Sequence, residues 1–354
     1  MKEKVLVGLS GGIDSSVALY LLNREGYDAE GITMLIWAKD SPYPAPVSPN
    51  SCYNPDKSKD LEKIDEICSK IGVEHHVVDC SKLYEKNVLG NFKDEYMNAR
   101  TPNPCIWCNA LIKFGAMLDV ARETIDFDYF ATGHYARIEK IGSRYALKKA
   151  KDLKKDQSYF LSRLSQEQLA KTIFPLGDYT KDEIRKIDEG QGFHEPGMCE
   201  SQDFYGGDYS DLLNAEPRHG DIILVDDNRK VGEHDGFWHY TIGQRKGLGI
   251  AWSEPLYVIS LDPIMNRVYV GTKKHTFSDS CEVGLVNYVT ETDFTDEEYL
   301  VKIRSTSPGI PAHVKRTQDG FRVDFTEPAM ALTPGQSAVV YRGDYVIASG
   351  IILQ

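Results

Sequence analysis

A short β-branched run, Lys4–Gly8, passes straight into Leu9-Ser10-Gly11-Gly12-Ile13-Asp14-Ser15-Ser16. A segment with apolar residues at helical spacing follows (Val17, Ala18, Leu21, Leu22) and ends near Gly26. A buried strand, a glycine-rich turn and a helix in succession commit this end of the chain to a βα unit. The alternation continues. Ala29–Trp37 reads as a second strand, Leu61–Ile71 as a helix, Glu74–Asp79 as a third strand, Ala110–Glu123 as a helix and Tyr129–Gly133 as a strand. Such alternation predicts an α/β fold with a doubly wound parallel sheet. Ligands of such sheets bind beyond the carboxyl ends of the strands.

The turn after the first strand suits an anion. Glycines let the backbone fold tightly and present its N–H groups, and the helix N-terminus adds partial positive charge. Ser10, Ser15 and Ser16 add hydroxyl donors, while acidic Asp14 is better suited to Mg2+ than to phosphate. No lysine follows the glycines, so this is not a Walker A loop. A plain capped turn needs no such string, and Gly8, Leu9, Ser10, Gly11, Gly12, Ile13, Asp14, Ser15 and Ser16 together read as a phosphate-binding loop.

Gln166–Ala170 and Lys181–Asp188 still read as helices, but past about Gly206 the character changes. Short β-branched runs lie between glycines: Asp221–Val225, Leu256–Ser260, Arg267–Gly271, Tyr299–Ile303, Phe321–Phe325, Ala338–Arg342 and Tyr345–Ile352. Evenly spaced short strands predict small barrels. The expected domains are an α/β domain over 1–205, a small central domain over 206–278 and a C-terminal β-barrel over 279–354. The proline-rich segment Asp40–Lys57 reads as a mobile loop.

With 41% hydrophobic and 27% charged residues the composition is that of an ordinary soluble globular chain. No apolar run approaches the roughly 20 residues that span a bilayer, and Met1–Lys4 leads into a strand rather than a signal peptide. The expected location is the cytoplasm, with no membrane partner. The net charge of −12 weighs against nucleic acid unless a local basic face exists. Arg144, Lys148, Lys149, Lys151, Lys154 and Lys155 form such a run, with Gln244-Arg245-Lys246 and Lys315-Arg316 as further basic points.

Seven cysteines, an odd count, in a reducing compartment point to metal, redox or core roles before structural disulfides. Pro104-Cys105-Ile106-Trp107-Cys108-Asn109 carries a C-x-x-C with a helix expected just after it. That placement would lower the thiol pKa and favour nucleophilic or metal-binding thiolate. No second C-x-x-C or H-x-x-x-H completes a zinc site. Cys199 lies in a polar Gly/Pro loop, an unusual place for a core thiol, whereas Cys68 and Cys80 read as buried filler and Cys52 and Cys281 receive no role.

The loop resembles that of the PP-loop ATP pyrophosphatases, which cleave ATP between the α- and β-phosphates and adenylate a substrate oxygen. The resemblance implies ATP as the nucleotide, with Met34 at adenine and Gly133 lining the site. SGGIDSSVA at 10–18, RTPNPCIWCNALIKFG at 100–115, ATGHYAR at 131–137, KKDQSYFL at 154–161, YTIGQRKGLGI at 240–250 and PGQ at 334–336 extend it. In this order, along nearly the whole chain, they resemble the tRNA-specific 2-thiouridylase family. That family has a PP-loop domain, a small central domain and a C-terminal β-barrel, in agreement with the segmentation above.

The resemblance implies adenylation of O2 of the wobble uridine, position 34 in the anticodon loop, and its replacement by sulfur. The catalytic persulfide cysteine would be Cys108. Asn103, Pro104 and residue 105 would face the base. Lys155, Asp156 and Gln157 would contact tRNA, as would His134, Arg304, Ser305 and Gln336. His134, Tyr135, Trp107 or Tyr159 could stack on the uracil. A sulfur donor is implied: a cysteine desulfurase, a sulfur relay protein or inorganic sulfide.

Two departures alter the sulfur chemistry. Many members carry Asp where this chain has Cys105, and the second family cysteine of S-Q-x-x-C is here Tyr205, with Cys199 upstream of the serine instead. Two routes therefore stay open. Cys199 serves with Cys108 as a persulfide pair that passes through a transient disulfide, or Cys105, Cys108 and Cys199 hold a [4Fe-4S] cluster that binds sulfide. Two other functional readings compete: the same chemistry on another RNA uridine, and a sulfur carrier or iron–sulfur scaffold without catalysis. Ligation of the argininosuccinate- or GMP-synthase type would leave the C-x-x-C and the basic run unexplained.

Overall fold

A computed structural model describes residues 2–38, 40–43, 51–195, 197–198 and 204–353. It has two compact units: Met1–Val88 with Pro104–Gly207 and Asp344–Val346, and Leu89–Asn103 with Asp208–Gly343 and Ile347–Gln354.

The first unit holds the parallel sheet. Its strands are β1 (Lys4–Gly8), β2 (Asp28–Leu35), β3 (His75–Asp79) and β4 (Tyr129–Thr132). A hairpin follows, β5 (Ala136–Ile141) and β6 (Arg144–Lys149), then the two-residue β7 (Thr172–Ile173). The sheet order is β3-β2-β1-β4-β7, with every pairing parallel. Helix α1 (Ile13–Glu25) is buried along most of its length, including Val17, Ala18, Leu19, Leu21 and Leu22. It packs with Val5, Val7, Ala131 and Ile184 into one core. Left-handed Gly26 (φ 98°) ends it, returning N–H groups to the last carbonyls. The β5–β6 hairpin was not foreseen, and it turns Arg144–Lys149 of the basic run into a strand.

Two further expectations need correction. The helix of the C-x-x-C begins at Pro104, ahead of both cysteines rather than after them, because proline is at ease in a first helical turn. The segment read as a mobile loop is pinned at its end: Ser51, Tyr53 and Asn54 are buried. Tyr53 stacks on Tyr84 at 5.7 Å and donates its N–H to the Phe204 carbonyl. Residues 44–50 lie outside the described residues. The helical stretch Pro104–Ala121 is long and apolar enough to cross a membrane by composition alone. Its Ile106, Ile112, Phe114 and Met117 are buried in the core of this unit.

The second unit is β-rich. β8 (Gly220–Leu224), β9 (Lys230–His234), β10 (Tyr257–Asp262) and β11 (Arg267–Gly271) form a sheet in the order β10-β11-β8-β9. β12 (Phe277–Tyr288), β13 (Tyr299–Lys302), β14 (Ile310–Arg316), β15 (Phe321–Met330), β16 (Ser337–Arg342) and β17 (Tyr345–Ile352) run in the order β12-β15-β14-β13-β16-β17. β17 also pairs with β12, which closes a six-stranded antiparallel barrel and removes its open edges. β9, β12 and β14 had no clear run in the sequence, because charged residues interrupt them, with glycine in β9 and β12 and proline in β14.

Candidate active site

The sheet order places a topological switch point between β1 and β4, since the chain builds outward from β1 through β2 and β3 and then returns to the other side. In open α/β sheets the loops at such a point diverge at the carboxyl ends of the strands, where ligands bind. The nucleotide loop leaves β1 and Gly133 leaves β4 there. A Cβ on Gly133 would stand 2.6 Å from the Asp14 carbonyl carbon and 2.7 Å from the Ser15 nitrogen, so only glycine permits this approach. The loop is internally braced: Ser15 and Ser16 hydroxyls donate to the Gly12 carbonyl at 3.0 and 3.1 Å, and the Ser10 N–H donates to Ser15 Oγ at 3.2 Å. Met34 sits half-buried near the end of β2.

Asp14 is not a lone acid. Its Oδ1 accepts from the Tyr135 hydroxyl and from Lys181 Nζ, each at 2.7 Å. The Lys181 side chain is 6% exposed and that of Asp14 28%. Lys181 opens the helix Lys181–Gln191, which a Thr180/Glu183 capping box starts. The sequence reading missed Lys181, yet a signal was present: a cation in a first helical turn opposes the helix dipole and calls for an anionic partner.

Cys105 and Cys108 stand one turn apart on the same helix face. Cys105 is exposed and Cys108 half-buried, and none of the described cysteines is in a disulfide. From Cys108 to Ala116 the helix has π geometry, with a kink at Gly115. The Gln168 side-chain amide donates to the Ala110 and Phe114 carbonyls at 2.8 and 2.9 Å, satisfying carbonyls beside the irregularity. π-segments recur at functional sites. The expected low thiol pKa is reversed at Cys108: burial pushes it up to about 11, against a smaller opposing pull from Lys113. The cysteine lies inside the helix rather than at its terminus, so desolvation dominates. Cys52 lies nearby too. The buried Tyr84 hydroxyl, raised chiefly by burial, also feels Cys108, Cys52 and Cys105. Cys68 and Cys80 are buried, each pushed up to about 11 by desolvation. Cys199 lies outside the described residues, and Tyr205, at the family's second cysteine position, is buried.

Other expected residues have structural partners. His134 accepts or donates at 2.6 Å with Thr132 Oγ1, and burial, then Lys113, holds its pKa well below the usual value, so it is neutral at pH 7. Asp156 receives the Ala150 and Ser158 N–H groups and the Ser158 hydroxyl, which shapes its own turn. Gln157 Oε1 accepts the Tyr135 N–H at 2.8 Å. Pro104 opens the cysteine helix, and Lys155 is half-buried in the preceding turn region of Asp156. Tyr135 and Tyr159 are core residues at 2% and 1% exposure and cannot stack on a base; Trp107 is half-buried under the Arg163 guanidinium at 4.5 Å.

In the second unit the PGQ string grips the segment that leads to the cysteines. Thr101 N–H donates to the Pro334 carbonyl at 2.8 Å, and the Gln336 amide donates to the Thr101 and Pro102 carbonyls at 2.9 and 3.0 Å. Asn103 follows that clamp directly. Arg304 donates to the Ile242 and Ala331 carbonyls at 3.0 and 3.1 Å, bracing the start of the 240–250 loop, with Ser305 next to it in a turn. Arg245 and Lys246 of that loop are exposed.

Three family profiles cover the chain. The tRNA methyl transferase HUP domain matches residues 3–205, the tRNA methyl transferase PRC-barrel domain 212–272 and the aminomethyltransferase beta-barrel domain 278–352. The tRNA-specific 2-thiouridylase MnmA of Endomicrobium trichonymphae is 43% identical over 99% of both chains. That of Microcystis aeruginosa is 41% identical over 99% of this chain and 98% of its own. The tRNA-specific 2-thiouridylase MnmA 1 of Clostridium botulinum strain Loch Maree is 39% identical over 99% of each. The profile descriptions speak of methyl transfer, but identity at this level over full length decides the matter, and the chain belongs to the tRNA-specific 2-thiouridylase family.

Proposed function

We propose that this chain is a cytoplasmic ATP-dependent tRNA 2-thiouridine synthase acting on the wobble uridine of the anticodon loop. The observation that carries this reading is one compact unit holding both halves of the chemistry. An anion cradle lies at the β1/β4 switch point, closed by Gly133 and the Asp14–Lys181 pair, and the Cys105/Cys108 helix belongs to the same unit. A sulfur scaffold without catalysis has no use for such a cradle.

Adenylation joins uridine O2 to the α-phosphorus of ATP and releases pyrophosphate. The oxygen can then leave C2 within AMP, a far better leaving group than hydroxide. In the persulfide route the terminal sulfur of a Cys108 persulfide bonds to C2 as the C2–O bond breaks. Cys199 thiolate next attacks the Cys108 sulfur, releasing 2-thiouridine and leaving a Cys108–Cys199 disulfide for a cellular dithiol to reduce. The persulfide sulfur comes from a desulfurase or relay protein. In the other route Cys105, Cys108 and Cys199 would hold a [4Fe-4S] cluster, and the chemistry it would supply is an iron able to bind sulfide. Two thiols one turn apart, one exposed and one half-buried, suit two such ligands. Asp14 Oδ1 is engaged by Tyr135 and Lys181, which leaves Oδ2 for a Mg2+ ion arriving with the ATP phosphates. Asn103, Pro104, Lys155, the 240–250 loop and the exposed Lys315-Arg316 pair supply tRNA contacts. Arg304, Ser305 and Gln336 act by shaping their loops, and Asp156, Gln157 and His134 by shaping the wall of the site.

The test is reconstitution with unmodified tRNA, Mg-ATP and either a persulfide donor or anaerobic sulfide. Expected are tRNA-dependent AMP release and 2-thiouridine at position 34 by nucleoside mass spectrometry. AMP release that ignores tRNA, or sulfur at another nucleoside, would sink the assignment. Iron and acid-labile sulfide content of anaerobically purified protein separates the two sulfur routes.

A further inference from the structure

Behind the nucleotide loop lies a buried pair to which the reaction gives no part. Asp188, in the helix Lys181–Gln191, and His194, just past its left-handed Gly192 cap, are 3% and 7% exposed. Asp188 Oδ1 is 2.7 Å from His194 Nδ1, and His194 Nε2 is 3.1 Å from the Gly11 carbonyl oxygen. A carbonyl only accepts, so Nε2 carries a hydrogen. The 2.7 Å contact needs a second proton, on Nδ1 or on the carboxyl. In either arrangement the pair is neutral overall. Without the second proton it would put a negative charge behind a loop built for an anion.

The identity of the acceptor matters. In a planar trans peptide the Gly11 C=O and the Gly12 N–H point in opposite directions, and no described peptide is cis. Drawing the Gly11 carbonyl onto the buried imidazole therefore turns the Gly12 N–H away from it. That N–H donates to no group among the described residues. Gly11 is at φ +79° and Gly12 at φ −97°. With glycine on both sides, no Cβ resists a flip of this peptide, and a flipped peptide would aim a carbonyl at the phosphates.

We propose that His194, oriented by Asp188, is a positioning residue that locks the Gly11–Gly12 peptide so that the Gly12 N–H faces the ATP phosphates. This rests on the reading of the loop as an ATP site. The test is ATP affinity by titration calorimetry on the full chain, with tRNA affinity and thermal melting alongside. His194→Leu should weaken ATP about tenfold, the scale of one buried hydrogen bond plus a misdirected carbonyl, while tRNA affinity holds. His194→Gln should keep most of the affinity, because its amide nitrogen reaches the Nε2 position. His194→Asn, whose amide nitrogen matches Nδ1 instead, should lose it like the leucine variant. If His194→Leu does not fold, the Gln and Asn variants decide. Unchanged ATP affinity in His194→Leu, or equal affinities in the Gln and Asn variants, overturns the proposal. A wild-type chain that binds no ATP sinks the nucleotide reading and this inference with it.

Discussion

Replacing Lys181 with methionine should weaken ATP binding, and replacing its partner Asp14 with asparagine should not, when Mg2+ is removed by chelation. The two side chains meet at 2.7 Å. At an effective dielectric of about 20 that separation corresponds to a gross attraction of about 6 kcal/mol. Much of this offsets the cost of desolvating a nearly buried ammonium, and water screens the 28% exposed carboxylate. A net coupling of about 1–3 kcal/mol is left. Lys181→Met then leaves the loop with an uncompensated carboxylate where the wild-type pair is neutral. The Kd for Mg-free ATP should rise about 10- to 100-fold. Asp14→Asn leaves an uncompensated cation at the same place, so ATP affinity under chelation should hold or improve, while adenylation should be lost with the proposed Mg2+ ligand. The double variant restores neutrality and should recover most of the affinity that Lys181→Met loses. Isothermal titration with a double-mutant cycle measures all four states. Wild-type affinity in Lys181→Met, or equal losses in the two single variants, would refute the charge-balance reasoning.

Cys108→Ser should abolish thiolation in the reconstituted assay and leave ATP and tRNA affinities within about twofold, since a thiol-to-hydroxyl change is nearly isosteric; loss of both affinities would show a folding defect instead. Gly133→Ala forces a Cβ to within 2.8 Å of backbone atoms of Asp14 and Ser15, so it should displace the start of α1, lower thermal stability and reduce ATP affinity at least tenfold; normal calorimetric binding would mean the loop gives way more easily than its packing implies. Alkylation of Cys108, followed by tandem mass spectrometry to separate it from Cys105, should be slow at pH 8 and accelerate about tenfold per pH unit towards about 11, where burial has moved its thiol. The linkage has the matching sign: an unfolded thiol ionises first, so this group's contribution to stability is full below about pH 8.5 and is lost as pH rises through about 11. A reactivity midpoint near the ordinary thiol value would contradict the buried setting.

The nucleotide loop was legible because its chemistry is local: glycines, serines and an acid sit in consecutive positions after one strand, and the βα pattern carries them to the sheet's carboxyl edge. Strands with clean β-branched runs, such as β11 and β17, were legible for the same reason, whereas β14, carrying Pro311, His313 and Lys315, was not. What sequence reading lost were the long-range partners. Lys181 meets Asp14 across 167 positions and His194 meets Gly11 across 183, so no window of sequence contains either pair. The motif at Lys155–Gln157 was visible as a string, but its internal role was not, because Asp156 is consumed by the N–H groups of its own turn. The inverted pKa of Cys108 was hidden by the same gap: a C-x-x-C near a helix start promises a reactive thiolate, and only the fold shows that the helix starts earlier and leaves the second cysteine half-buried and desolvated.

That burial bears on how sulfur reaches the site. A thiol held near 11 is almost wholly protonated at neutral pH, so Cys108 is a poor nucleophile towards a free sulfur source until something removes its proton. Exposed Cys105, one turn away, has the better access to a donor. If sulfur enters as a persulfide, loading therefore follows accessibility, through Cys105 before transfer to Cys108, and Cys105→Ser should slow loading without changing a single turnover from preloaded enzyme. If the three thiols hold metal, coordination itself replaces the proton on Cys108, and the same substitution should remove bound iron. Quantifying iron and single-turnover thiolation on Cys105→Ser therefore separates the routes, and a variant that is wild type in iron content, loading and turnover would exclude Cys105 from both.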